Sequence, residues 1–106
     1  MEKIINLTPH SITILNEEGK MYQIIGSSGV ARLAQKTVIA GIINGIIITK
    51  TEFGKPEGLP NFEEGTFIIV SQLIKTALHN RKDLLVPAEV IRDKNGIILG
   101  YKSLCK

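Results

Sequence analysis

Tryptophan is absent from this 106-residue chain, and aromatic residues make up only 5% of it. A core must therefore be assembled from isoleucine, leucine and valine, whose β-branched members are stiff at χ1 and favour strands over helices. The single cysteine, Cys105, excludes an internal disulfide and leaves no partner for a thiolate metal site. A lone thiol suits a reducing compartment, and Met1 to Asn6 lack the basic region, apolar stretch and cleavage site of a secretory leader. No apolar run reaches the length of a bilayer span, because Asn44, Gly45 and Lys50 interrupt the longest one. These absences predict a cytoplasmic protein with no membrane contact.

Strong charge of one sign is missing as well. The net charge is +3, and Lys3, Lys102 and Lys106, three of the thirteen basic residues, sit near the chain ends. There is no basic stripe interleaved with aromatics, so the chain gives no strong nucleic-acid signal. No phosphate loop, dinucleotide fingerprint, His-Glu zinc motif or Cys-x-x-Cys pair occurs. His10 and His79 are far apart, and a metal site built on either would need carboxylates delivered by folding. Ser27, Ser28 and Ser71 carry no serine-elbow spacing, and Glu57, Glu63 and Glu64 read as a solvated acidic face. The pattern argues against an enzyme, with no catalytic residue, metal or cofactor assigned. A small hydrolase or nuclease using His10 or His79 is the weakest reading left open.

What is present is ordinary globular composition, 43% hydrophobic and 22% charged, in a length that suits one domain over residues 1–106. Alternating residues 11–15 and 20–25 flank Asn16-Glu17-Glu18-Gly19, a first hairpin. Residues 37–43 and 46–51 flank Asn44-Gly45, the dipeptide that best suits a two-residue hairpin turn. Residues 52–65, with Gly54, Pro56, Gly58, Pro60 and Gly65, predict an exposed loop. Thr66 to Val70 reads as a buried strand, and Ser71 as the cap of a helix over residues 71–78 whose apolar face is Leu73, Ile74, Ala77 and Leu78. Leu84-Leu85-Val86 before Pro87 reads as an edge strand. Asp93-Lys94-Asn95-Gly96 predicts a last hairpin. The expected fold class is α+β: mainly antiparallel β hairpins, as an open sheet or partly closed barrel, with one short helix near residues 71–78.

The candidate binding groups are Arg32, Arg81 and Arg92, the three arginines of the chain, whose planar forks match carboxylate or phosphate. Ser27 and Ser28 stand close to Arg32 in sequence, and small residues there let a ligand approach the main chain. Asn6 and His10 flank the proline-fixed turn at Thr8-Pro9, and Tyr101 is a candidate stacking group for a base. A solvated or structural role competes at each of these positions.

The segments Asn6-Leu7-Thr8-Pro9-His10, Ser28-Gly29-Val30-Ala31-Arg32, Gly58-Leu59-Pro60, Glu64-Gly65 through Val70-Ser71, and Val90-Ile91-Arg92-Asp93 together resemble a group of short uncharacterised bacterial and phage proteins. The resemblance spans nearly the whole chain and implies a phage or mobile-element context, not a reaction. By analogy of size and setting, it suggests an anti-defence sponge that binds a nucleotide signal without cleaving it. The resulting expectation is a non-enzymatic, homo-oligomeric protein that captures a phosphorylated small-molecule ligand. The alternative is an inhibitor that binds a host protein through a sheet edge or the 52–65 segment.

Overall fold

The computed structural model describes residues 2–106. In chain order it forms β1 (Lys3–Asn6), β2 (Ile12–Leu15), β3 (Met21–Ile25), β4 (Arg32–Ile43), β5 (Ile46–Glu57), β6 (Thr66–Ile69), α1 (Gln72–Ala77), β7 (Leu84–Arg92) and β8 (Ile98–Cys105). Six strands make one sheet in the order β1-β6-β7-β8-β2-β3, and β4 with β5 makes a separate two-stranded ribbon. The hairpins at 16–19, 44–45 and 93–96 and the helix fall where the turn and capping residues predict. Asn44 and Gly45 both take positive φ (49° and 79°), the geometry that matches the twist of flanking strands.

The expected class holds in part: the fold is β-rich more than α+β, and of the two expected arrangements the described residues form open sheets, not a closed barrel. The main sheet is also mixed: β1 runs parallel to β6, β6 parallel to β7, and β2 parallel to β8. Parallel partners come from distant parts of the chain and need a crossover, here α1 between β6 and β7, so no local turn announces them.

Two local expectations also change. Residues 52–57, expected in a loop, continue β5, with Pro56 opposite Leu33 and a register shift between Leu33 and Gln35. A ribbon of two strands is all edge, and an edge tolerates a missing donor and a bulge. Leu84 to Val86 is not an edge strand: β7 lies between β6 and β8 and runs through Pro87 to Arg92. Its pairing with β6 ends at Leu85, so one flank of β7 is free where the proline sits.

The core has two parts. Leu7, Ala31, Ile68, Val70, Ile74 and Leu84 form one cluster, and Ile12, Ile69 and Leu85 form the other, with Phe67, Tyr101 and Leu104 half-buried against it. The helix contributes only Ile74 to full burial, while Leu73 is exposed. Where β2 meets β8, Gly100 permits a close approach: a Cβ there would lie 2.8 Å from the Thr13 carbonyl oxygen and 3.0 Å from Leu15 Cγ. Gly100→Ala is therefore expected to destabilise the fold by roughly 1–3 kcal/mol, the usual cost of overpacking. The check is a urea melt, in which an unchanged midpoint would mean that β2 shifts freely away from β8.

Candidate functional site

Ser71 ends the apolar run of β6 and turns the chain into α1, its Oγ accepting from the Ile74 N–H at 3.4 Å. Ile74 then faces the core, and Lys75 leaves the helix away from it. The last turn closes through Leu78 N–H to Ile74 O and Arg81 N–H to Leu78 O, both 2.9 Å. This tight return places His79, Arg81 and Lys82 beside Lys75. The end of β8 brings in Lys106, whose Nζ lies 5.4 Å from the centroid of the Phe67 ring, a cation–π distance. Lys75, His79, Arg81, Lys82, Leu84 and Lys106 line one cleft of about 350 Å3.

No Asp or Glu side chain lines that cleft. The nearby Asp83, buried at 1% exposure, is gripped by Arg81 from Nε to Oδ1 at 2.9 Å and from Nη2 to Oδ2. Arg81 Nη1 also donates to the Pro60 carbonyl at 3.0 Å. The arginine is thus neutralised and fixed, and the three lysines supply the cleft's free positive charge. An ammonium is a compact point charge with rotatable donors, suited to a phosphoryl group of any orientation.

The three arginines named from sequence do not meet in one cleft. Arg81 lines the basic cleft, whereas Arg92 Nη1 donates to Gly96 O at 2.9 Å within its own hairpin turn. Arg32, which makes no ion pair or side-chain hydrogen bond among the described residues, lines a cleft of about 250 Å3 with Leu7, Thr8, Gln35, Ser71 and Leu73 among others. Asn6 is fully buried and uses its side chain internally: Nδ2 donates to His10 O and Ile25 O, and Oδ1 accepts from Thr8 N and Oγ1. Ser27 Oγ lies 2.6 Å from Thr8 O and 3.0 Å from Gly29 O, and Ser28 N–H donates to Asn6 O at 2.8 Å. These three residues brace the turn.

His10 and Tyr101 are brought together, with Ser11, Thr13, Ser71 and Gln72, in a cleft of about 500 Å3 that no Lys, Arg, Asp or Glu lines. It offers hydrogen bonds and apolar contact but no fixed charge. A wider concavity of about 700 Å3 is rimmed by Glu17, Glu89 and Lys102, where two carboxylates against one ammonium oppose an anionic ligand. The lysines of the basic cleft escaped the sequence reading. Lys75 and His79 stand four residues apart at the end of the predicted helix, and Arg81-Lys82 follows, so half of the cleft was visible in that spacing. Lys106 was not, because only the β7 to β8 register carries it there.

Among the described residues, no group of three His, Cys, Asp or Glu side chains is placed to hold a metal ion, and no helix is long and apolar enough to cross a membrane. Fold and cleft together define a small, β-rich, mixed-sheet chain with one basic concavity beside its helix. No protein-family model matches the chain, and neither a curated protein nor a solved structure matches it.

Proposed function

We propose that this is a non-enzymatic binding protein of a phage or mobile element that sequesters a phosphorylated, nucleotide-derived small molecule, such as an immune signal, in the host cytoplasm. The observation that carries the reading is the convergence of Lys75, His79, Arg81, Lys82 and Lys106 on one cleft lined by no Asp or Glu side chain. Positive charge of one sign lining a concavity focuses the field and favours an anionic group. The cleft volume is at the lower end for small-ligand sites, enough for a phosphoryl group and a small body. The nucleotide and phage parts of the reading rest on the sequence resemblance.

The reading is tested by calorimetric titration with nucleotides and with inorganic phosphate, followed by denaturation and mass analysis of what was bound. Lys75→Ala and Lys82→Ala are each expected to weaken binding about tenfold, the usual scale of one charge-assisted contact. Arg32→Ala, in a different cleft, should leave affinity unchanged. The ligand should be recovered intact. Binding that ignores both lysine substitutions, or a ligand recovered cleaved, would sink the proposal.

A further inference from the structure

The chain is far from compact for its length. Its radius of gyration is 17.2 Å, against about 13 Å for a compact domain of this size. It exposes 7808 Å2, where a compact monomer would expose about 5,800 Å2. The difference lies in the β4–β5 ribbon, whose strands are almost entirely exposed along twelve residues each.

The outer half of this arm is apolar on both faces. The register pairs Ile42 with Ile47 and Ile39 with Thr49 on one face, and Ile43 with Ile46, with Ile48 beside them, on the other. These six isoleucines are 37–68% exposed. A two-stranded hairpin alone in water is marginal at best, and a strand apolar on both faces is one that is covered on both. Monomers rarely leave so large an apolar patch in solvent.

We infer that the arm is the contact between two copies of this chain, arm against arm about a two-fold axis. Three features favour a second copy as the occupant. No charged residue occurs from Thr37 to Thr49, so the tip presents nothing for a partner of opposite charge to read. Below it, Lys36 lies opposite Glu52, and Lys50 lies 4.0 Å from the same carboxylate, so the arm's charges sit at its base and leave the tip uncharged. An isoleucine surface of this kind is self-complementary, as a two-fold interface requires. The excess exposed area of roughly 2,000 Å2 is more than twice the 800 Å2 or so that each partner buries in a stable interface.

The test is sedimentation velocity and native mass spectrometry of the full chain over a range of concentrations, without ligand. A dimer is expected, with amide exchange at residues 37–49 slowing as concentration rises. The double variants Ile42→Lys with Ile47→Lys, and Ile43→Lys with Ile46→Lys, charge one face each and lie away from the core. At least one should weaken association by about a hundredfold or more while amide exchange shows the six-stranded sheet still folded. Lys82→Ala in the basic cleft should leave association intact, which separates this inference from the ligand reading. A monomer at every concentration would overturn it, as would an oligomer insensitive to both double variants. Arm protection that appears only with a different polypeptide bound would also overturn it.

Discussion

Replacing Asn6 with alanine is expected to destabilise the protein by about 3 kcal/mol, because a buried polar group left without a partner costs 1–3 kcal/mol and several are created at once. The amide joins three segments: the end of β1, the turn at residues 8–10, and the end of β3. Its Nδ2 donates to His10 O at 2.8 Å and to Ile25 O at 3.0 Å, while Oδ1 accepts from the Thr8 N–H at 2.9 Å. Removing it leaves the Thr8 N–H without its acceptor and takes a donor from the His10 and Ile25 carbonyls, of which His10 O keeps the Thr8 Oγ1 hydroxyl at 3.0 Å. Asn6→Asp tests the same idea from the other side. It keeps the acceptor for Thr8 but sets a carboxylate oxygen against two carbonyls, so it should cost at least as much as alanine. Urea melts of both variants at neutral pH read the effect. A loss below about 1 kcal/mol for alanine would mean that water enters and replaces the amide.

This residue also shows what was legible in the sequence. Asn6 stands out in the sequence because an asparagine beside a proline-fixed turn is chemically conspicuous, and it is important, but as the brace of that turn. A sequence shows which groups can hydrogen-bond and not which bonds are already satisfied. Ser27 and Arg92 follow the same rule, their donors being spent on carbonyls near in sequence or space. Local structure read well wherever the cause was local: Asn44-Gly45 for the arm, Asp93 to Gly96 for the last hairpin, and Ser71 for the helix start.

What failed to read was set by distant pairing. Gly54 and Pro56 look like loop residues because most strands are internal, and they are tolerated in β5 because the ribbon is free on both sides. The parallel neighbours β1 and β6 are separated by the whole arm, and no turn links them. The basic cleft has the same origin. Lys75 and Lys82 arrive through one short helix and its return, but Lys106 joins them only because β8 runs antiparallel to β7 and ends with Cys105 opposite Val86. The arm is the reverse case: its isoleucines look from sequence like core residues. Only the fold shows that the chain's own core leaves them out.

Arg81→Ala is expected to have the largest effect, a loss of about 3–5 kcal/mol, because it strands the Asp83 carboxylate in the interior without its counter-charge. Asp83 is 1% exposed and has both oxygens in the arginine fork. Its backbone carbonyl also accepts from the Ile68 N–H at 2.8 Å, which ties the ion pair to the start of β7 beside β6. With a total stability of about 5–15 kcal/mol for a domain of this kind, such a loss brings the chain near unfolding at ambient temperature. The double variant Arg81→Ala with Asp83→Ala should therefore recover part of the loss, since no charge is then left buried. A coupling energy above about 1 kcal/mol in that cycle is the expected result. The substitution also removes the donor to the Pro60 carbonyl. Residues 58–65 should then be cut faster by protease in Arg81→Ala than in the unaltered protein, and the double variant should not restore their protection. Additive single and double effects would instead assign the whole cost to lost packing of the arginine stem, and would remove the ion pair from the account of what holds this end of the sheet.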